Sequence, residues 1–256
     1  MNTTKQKLFA EVKPPVITPS EYDKIEVLKK PCEMLSHMCN KSIYIIDYLK
    51  QEFFYVSPHP LFLCGYTAKE VLKMGYDFYE KVFSPEDLEM ELEINRFGWQ
   101  LFYETAPDER NDFVISNDLY LEHKNGVKTL VNHRLSPFYL TKEGDVWLAI
   151  CTVGYSPAKN PGNIFLTKKD KTEYFTYDLN QKRIHRYRPT KLTRREEEII
   201  LLSMRGYEVE TIAEKLKISP HTVKNHRAHI GDKLNVNNLS SAAVTFYSTF
   251  FNSNIL

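Results

Sequence analysis

Hydrogen-bond donors and cations lie together in residues 219–234, and their chemistry suits nucleic acid. Lys224 can donate to the acceptor edge of guanine, and the amide of Asn225 can pair with adenine. Ser219 followed by Pro220 is typical of a helix start, because serine caps the first turn and proline at the first position gives up no hydrogen bond. This stretch is therefore predicted to be a helix that carries the donors.

Apolar residues in the same stretch indicate which face of this helix is buried. Val223, Ile230 and Leu234 recur at helical spacing and are expected to pack inward. The other face then presents His221, Lys224, Asn225, Arg227 and Ala228. Many amphipathic helices share this pattern, so its use has to be inferred from the neighbouring sequence.

The residues just before this helix predict a helix-turn-helix. Residues 208–216 form a shorter amphipathic helix, and residues 217–219 form a tight turn. The apolar face of the shorter helix consists of Val209, Ile212, Ala213 and Leu216. A helix, a tight turn and a capped helix with a polar outer face is the arrangement whose second helix enters the major groove of DNA.

Two more helices are predicted on either side. Thr193 and Glu196 form a capping box that opens one helix, and Gly206 ends it. A fourth helix is expected to begin at Asn238 or Ser240. Their apolar residues are Ile199, Ile200, Leu201 and Leu202 upstream, and Ala242, Ala243, Phe246 and Tyr247 downstream.

These segments resemble the LuxR/GerE-type DNA-binding domain, a four-helix bundle, over roughly residues 191–250. The matching positions are Leu192 to Glu196, Gly206, Ile212, Ala213, Leu216, Ile218, Ser219, Thr222 to His226, Ile230, Lys233, Leu234, Val236 and Ala242. Two positions depart from the family pattern. Thr211 stands where an acidic residue is usual, and Leu239 stands where an arginine is usual.

The resemblance implies roles for individual side chains. Lys224, Asn225 and Ala228 occupy positions that face base edges, with Ala228 against a thymine methyl group. Contacts to phosphates are implied for His221, Thr222, Arg227, Arg194, Arg195 and Lys233. Two other uses of the bundle stay open: a signalling adaptor that binds protein, and a sigma-like module that contacts promoter DNA.

The charge of the chain is divided unevenly, although the net charge is only +1. Residues 182–235 contain 13 Lys and Arg against 7 Asp and Glu, whereas the remainder contains 21 against 26. A basic C-terminal part on an acidic body fits a DNA-binding module. Residues 182–195 hold seven of these cations and no acid, which fits either a solvated linker or a segment beside phosphates.

Other features of the sequence limit the classes of protein to which the chain can belong. The four cysteines, Cys32, Cys39, Cys64 and Cys151, form no C-x-x-C pair, so reduced thiols and a cytoplasmic location are expected. No apolar run approaches the roughly 20 residues that a membrane span needs, and no signal-peptide core is recognisable. Motifs of hydrolases, nucleotide-binding loops and zinc proteases are missing too, so neither an enzyme nor a metal site is expected.

The N-terminal half predicts an α+β domain. Residues 1–17 are expected to be loosely held, and Thr18 with Glu21 opens a helix that Pro31 kinks or ends. Its apolar stripe is predicted to comprise Ile25, Leu28, Met34, Leu35 and Met38. Strands are expected at residues 42–47, 52–57, 119–123, 128–139 and 146–155, with helices between the second and the third.

This order resembles the PAS domain, an antiparallel five-stranded sheet with helices. The phrases that carry the resemblance are Tyr55 to Pro58, Gly65 to Leu72, Ser84 to Leu88 and His123 to Gly126. No cofactor is predicted: Cys64 lacks the surroundings of a flavin-binding cysteine, and His59, His123 and His133 are too scattered to suggest ligands. A small-molecule ligand within the domain stays an open alternative.

The last PAS-like strand is apolar on both faces, which predicts a second covering layer. A one-sided antiparallel sheet has a polar outer face, so either the helix at residues 18–38 or a second subunit is expected to cover this one. We therefore expect a homodimeric DNA-binding transcription regulator, with RNA polymerase as a further partner. Its predicted parts are residues 1–41 (tail and helix), 42–156 (PAS-like domain), 157–190 (linker with a hairpin) and 191–256 (four-helix helix-turn-helix domain).

Overall fold

The computed structural model describes residues 3–14, 16–156, 158–168, 174–187 and 192–234. The chain divides into two compact units, one containing residues 1–170 and 175–185, and the other residues 171–174 and 186–256. The fourth helix expected from Asn238 or Ser240, the positions Val236 and Leu239, and the side chain of Leu234 lie outside the described residues.

The sheet of the first unit begins with the five expected strands. The strands are β1 Ser42–Asp47, β2 Glu52–Val56, β3 Phe113–Glu122, β4 Lys128–Leu140, β5 Val146–Tyr155, β6 Gly162–Lys168, β7 Tyr174–Asp178 and β8 Arg183–Tyr187. They are ordered β2-β1-β5-β4-β3-β6-β7-β8. The predicted element order, two strands, helices and then three antiparallel strands, is confirmed for β1 to β5.

The expected five-stranded sheet is wrong in size, because the sheet has eight strands. Strand β3 starts six residues before the predicted Leu119, and its early residues pair with β6, as in Ile115 with Leu166. An exposed edge strand presents unpaired N–H and C=O groups, and here the chain supplies its own partner strand. The predicted hairpin after residue 173 is present as β7 and β8, which continue the sheet. The predicted domain boundaries themselves stay predictions.

Helices cover both faces of the sheet and build the second unit. They are α1 Thr4–Leu8, α2 Pro19–Ile25, α3 Lys29–Cys39, α4 Pro60–Leu63, α5 Ala68–Met74, α6 Tyr79–Val82, α7 Pro85–Glu104, α8 Arg194–Met204, α9 Val209–Leu216 and α10 Pro220–Leu234. Short 3-10 helices occur at Glu26–Leu28, Gly75–Phe78 and Pro107–Asp112. No helix among the described residues is long and apolar enough to cross a membrane.

The N-terminal segment is not loosely held, contrary to expectation. Thr3 and Gln6 form a capping box that starts α1. Leu8 and Phe9 are buried in the main core, and the side-chain amide of Asn95 donates to the carbonyl of Leu8. Two adjacent apolar side chains are enough to dock this otherwise polar segment, because burying each one contributes roughly 1.5–3 kcal/mol.

The expected break at Pro31 is wrong by several residues. Helix α2 ends at Ile25, a 3-10 turn follows, and α3 already begins at Lys29. Pro31 therefore falls in the first turn of α3, where its missing N–H would have had no partner.

The expected apolar stripe of this helical segment is wrong in its second half. Ile25 and Cys32 are buried, but Met34 and Leu35 are each 48% exposed and Met38 is 75% exposed. The buried side chains pack in one cluster with Ile43, Ile45, Trp147 and Leu148. The helical segment thus covers the outer face of β1 and β5, which confirms one of the two expected coverings, and it leaves an apolar face outward.

Candidate nucleic-acid interface

Helices α8 and α9 of the second unit hold α10 in place around a small apolar core. Ile199 and Ile200 of α8, Ile212 of α9, and Val223 and Ile230 of α10 are fully buried. The predicted apolar faces are therefore confirmed for these helices as far as the chain is described. The core fixes the rotation of α10, and this rotation decides which residues face outward.

The turn before α10 sets where that helix begins. Lys217 ends α9 in the left-handed conformation, with φ of 55°, and the N–H of Ile218 donates to the carbonyl of Ala213 over 3.0 Å. The hydroxyl of Ser219 then accepts the N–H of Thr222 at 3.1 Å. Both ends of the turn thus have their backbone groups satisfied, and the predicted cap at Ser219 is confirmed.

The three residues expected to face base edges are exposed. Lys224, Asn225 and Ala228 lie on the outward side of α10, opposite its buried residues. The Asn225 amide lies 3.3 Å from His221 Nε2, one helical turn earlier, which orders both side chains. The exposed face therefore combines a cation, an amide and a methyl group, which is the set that base edges in the major groove can bind.

The six residues expected to contact phosphates differ in their surroundings. His221 is exposed, whereas Thr222 and Arg227 are half-buried on the flanks of α10. Arg194 at the start of α8 has a side chain that is 93% exposed and an ion pair with Glu198 at 3.5 Å. Exposed pairs of this kind contribute little, so Arg194 is available to another anion.

Arg195 joins two helices of the bundle. Its guanidinium donates to the carbonyl of Leu216 at 2.7 Å and to Glu198 at 2.8 Å. The carbonyl of Leu216 belongs to the last turn of α9, where backbone acceptors lack partners within the helix. Arg195 therefore contributes to the packing of α8 against the end of α9, and its role at phosphates stays a prediction.

Lys233 joins the end of α10 to the start of α8. Its ammonium group donates to Glu196 Oε2 at 2.7 Å, and Glu196 is only 3% exposed. The same oxygen accepts the N–H and hydroxyl of Thr193, completing the predicted capping box. Burial opposes ionisation of Glu196, but the hydrogen bonds from Lys233 and Thr193 outweigh it and keep the pKa of this carboxyl below its ordinary value.

The contact between Glu196 and Lys233 was not recognisable in the sequence. The capping pattern marks Glu196 as a helix-start residue, and Lys233 was predicted to contact phosphate. The two residues are 37 positions apart, so only the packing of α10 across α8 brings them together. In the described part of the chain, no group of His, Cys, Asp or Glu side chains is placed to hold a metal ion.

Comparison with known proteins identifies this bundle. Residues 190–246 match the bacterial regulatory proteins of the luxR family (GerE), so the C-terminal unit carries a LuxR-type domain. The transcriptional regulatory protein DegU of Brevibacillus brevis is 49% identical over 53 residues, which are 21% of this chain and 22% of that protein. The chain thus spans about a fifth of the length of this relative.

Solved structures resemble longer parts of the chain only weakly. A dimer of VqmA, described as a LuxR-type receptor of Vibrio cholerae, is 16% identical and covers 91% of this chain and 88% of its own, with a TM-score of 0.34. The PAS domain of an HTR-like protein from Haloarcula marismortui is 19% identical over 51% of this chain and 99% of its own, with a TM-score of 0.33. At TM-scores below 0.5, these likenesses carry no inference about function.

Proposed function

We propose that this chain is a transcription regulator that binds specific sequences in double-stranded DNA through α10. The observation that carries the proposal is the exposed face of α10, with Lys224, Asn225 and Ala228 side by side in a matched LuxR-type domain. The helix is fixed by a fully apolar core, so these side chains are presented in one orientation. The protein acts by binding and not by catalysis.

Within this proposal the outer face of α10 and the start of α8 share two tasks. Lys224, Asn225 and Ala228 read base edges, which gives specificity. Arg194, His221, Thr222 and Arg227 bind phosphates, which gives affinity and position. Arg195 and Lys233 already bind partners inside the bundle, so they support the interface mainly by holding the helices together.

The proposed regulator is a homodimer joined through the outward face of its N-terminal helical segment. Val27, Pro31, Met34 and Met38 are exposed there and follow one another at spacings of four, three and four residues. This is the spacing of an apolar seam between two helices, and Leu35 widens it. A second copy of the same segment offers the matching seam, because a two-fold dimer uses the same patch on both subunits.

The N-terminal unit receives the signal in this proposal, and the C-terminal unit delivers the response. The core of the N-terminal unit contains a cavity, which gives a signal a place to bind. No catalytic step is needed to pass the signal on. When bound to DNA, the regulator is proposed to contact RNA polymerase.

Selection of bound fragments from a random pool of duplex DNA tests the proposed function. We expect recovery of a palindrome, because a two-fold dimer presents α10 to two half-sites about 34–36 Å apart. Binding to the selected site should weaken steeply with salt, by about 0.9 in log K per log unit of salt for each phosphate contact. Recovery of no common sequence, together with salt-insensitive binding to a protein partner, would instead identify an adaptor.

A further inference from the structure

The core of the N-terminal unit contains a cavity between the sheet and α7. Its volume is about 90 Å³, and its walls come from α7, from the inner faces of β1 and β3 to β6, and from the N-terminal segment. Much of the wall is aromatic, including Phe9, Tyr48, Tyr76, Trp99 and Phe102. Well-packed interiors contain few voids larger than a water molecule, so a cavity of this size calls for an explanation.

One side of the cavity is polar and consists of two hydrogen-bonded sets of side chains that lie next to each other. The hydroxyl of Tyr44 lies 3.0 Å from that of Tyr79 and 2.8 Å from His133 Nε2. His133 Nδ1 lies 3.9 Å from Glu91, which also accepts a hydrogen bond from Asn117. These five residues come from five different elements, so the polar side exists only in the folded unit.

Two donors of the cavity wall have no partner among the residues that the structure describes. Tyr76 and Trp99 both line the cavity, and within this part of the chain the hydroxyl of Tyr76 and the indole N–H of Trp99 are buried without a hydrogen bond. A buried donor without a partner costs about 1–3 kcal/mol. Edge-to-face contacts with Phe9 and Tyr79 hold the ring of Tyr76, so its hydroxyl cannot easily turn to another acceptor. A bound molecule with an acceptor atom would remove this cost.

The cavity also has no strong preference for a charged ligand. Burial raises the pKa of Glu91 to about 7 and lowers the pKa of His133 to about 4, so burial favours the uncharged form of both groups. Other groups near Glu91 are the amide of Asn117, the carboxyl of Asp87 on the same helix, the hydroxyl of Tyr79 and the thiol of Cys151, and none of these supplies a positive charge. A neutral ligand fits this wall best.

The volume limits the size of the ligand. An apolar cavity of about 150 Å³ accommodates benzene in an engineered protein, and this one is smaller. A single ring therefore fits only with small movements of the wall. The fused rings of flavin and the macrocycle of haem are far larger than the space.

We propose that this cavity binds a small neutral molecule, no larger than one six-membered ring, whose carbonyl-type acceptor takes the hydrogen bond of Tyr76. The proposal rests on the proposed function, in which the N-terminal unit receives a signal. The polar side of the cavity, from Tyr79 to Asn117, forms the second recognition surface. The aromatic rings supply the apolar contacts to the body of the ligand.

Titration of the full ¹⁵N-labelled chain with cyclohexanone tests the proposal without DNA. The chain has two tryptophans, Trp99 in the cavity wall and Trp147 in the outer cluster, so the indole N–H region contains its own control. We expect the Trp99 signal to shift with a saturable dependence on cyclohexanone and the Trp147 signal to stay. A Trp147→Phe variant assigns the two signals. Equal shifts of both signals, or no saturation, would overturn the proposal.

The Tyr76→Phe variant tests the assigned donor. It should weaken cyclohexanone binding by roughly three- to tenfold, as expected for one neutral hydrogen bond, and should leave toluene binding unchanged because toluene has no acceptor. The Tyr139→Phe variant, at a 39% exposed tyrosine outside the cavity, is the matched control. The free Tyr76→Phe protein should melt at the same or a higher temperature than the wild type.

The outcomes separate this proposal from the proposed function. A clearly lower melting temperature of the free Tyr76→Phe protein would mean that trapped water already satisfies the hydroxyl, and the ligand proposal would fail. Unchanged cyclohexanone binding to that variant would also contradict it. Neither result affects recovery of a DNA sequence by α10, whereas failure to recover a sequence leaves the cavity measurements standing.

Discussion

Individual side chains on α10 combine exposure with a fixed backbone, and this combination makes specific binding of DNA feasible. Lys224 and Asn225 are exposed, but the helix that carries them cannot rotate because Val223 and Ile230 are fully buried beside them. A base-reading contact depends on such geometry, whereas a phosphate contact tolerates more movement. Substitution of a base-contacting residue should therefore change the sequence preference, whereas substitution of a phosphate-contacting residue should change the affinity for all sequences.

Replacement of Lys224 by alanine should relax base preference at one position of the selected site. We expect a loss of about 1–3 kcal/mol of discrimination, measured by competition between the selected duplex and single-base variants. Arg227→Ala is the matched control, because it should weaken binding to all sequences alike and reduce the salt slope by about one contact. Unchanged preference in both Lys224→Ala and Asn225→Ala would show that α10 does not read bases.

Glu91 should make the stability of the N-terminal unit depend on pH. The pKa of this carboxyl is about 7 in the folded protein and near 4.5 in the unfolded chain, so between these values only the folded state keeps the proton. The free energy of unfolding therefore falls as pH rises through this window, by at most about 1.4 kcal/mol per pH unit, and levels off above it.

The Glu91→Gln variant should remove this dependence. Its free energy of unfolding in urea should rise relative to that of the wild type between pH 4.5 and 7. His133, whose lowered pKa has the opposite effect, is present in both proteins and cancels in the difference. For Glu89→Gln, at an exposed carboxyl of the same helix, the difference in free energy of unfolding from the wild type should stay constant with pH. A constant difference for Glu91→Gln as well would rule out a protonated carboxyl at the cavity.

At the scale of elements, the position of α10 depends on one long-range ion pair as well as on the apolar core. Lys233 near its end reaches Glu196 in the first turn of α8, and Thr193 shares the same carboxylate. Arg195 makes a second link, from α8 to the last turn of α9. Each of the three helices described in the C-terminal unit is therefore tied to another by a charged side chain with defined partners.

The Glu196→Gln variant should destabilise the C-terminal unit by about 1–3 kcal/mol. Glutamine preserves the capping pattern but leaves the half-buried ammonium of Lys233 without its counter-charge. Because the pKa of Glu196 is lowered on folding, its contribution is present above its unfolded pKa and is lost as pH falls through the folded value. Thermal unfolding followed by circular dichroism at pH 7 and at pH 3 measures both effects.

A neighbouring carboxyl provides the control for this prediction. Glu214→Gln removes an exposed charge from α9 and should change the melting temperature little. If Glu196→Gln unfolds at the same temperature as Glu214→Gln, the ion pair does not contribute to stability. DNA binding measured well below the transition should then be equal in both variants too.

At the scale of the whole molecule, the outward face of the N-terminal helical segment favours pairing of two chains. The sheet's outer face is already covered by the chain's own helical segment, so a second subunit is not needed there. That covering segment in turn exposes Val27, Met34, Leu35 and Met38. Exposed apolar patches of this kind mark interaction surfaces more often than isolated apolar residues do.

The double variant Met34→Glu/Met38→Glu should separate the dimer into monomers. Two carboxylates on each copy would face one another across the seam, and burying them without partners costs several kcal/mol. Sedimentation at micromolar protein should give a dimer for the wild type and a monomer for the variant. Val127→Glu, which changes a 55% exposed valine in the turn after β3, should remain dimeric. A monomeric wild type, with and without DNA, would contradict the proposed seam.

Much of the architecture could be predicted because its signals are local. Capping boxes at Thr193 and Thr18 mark helix starts, and both begin helices in the structure. The alternation of apolar residues placed β1 and β5 within a residue of their observed bounds. A cap or a two-residue period depends on neighbours within a single turn or strand, so the sequence alone determines it.

Tertiary packing decided the rest, because it depends on residues far apart in the chain. The amphipathic pattern of residues 19–39 does not say which apolar side faces the sheet, and the structure buries Cys32 while Met34 and Met38 stay outside. The three additional strands, the pair of Glu196 with Lys233 and the cavity at Glu91 likewise arise only when distant segments meet. The sequence by itself determined the capped helix α10 and its exposed donors, since capping and periodicity are local. The contacts that hold this helix in place, and the cavity inside the N-terminal unit, were decided by the tertiary structure. They form between segments that are distant in the chain, and no local pattern specifies them.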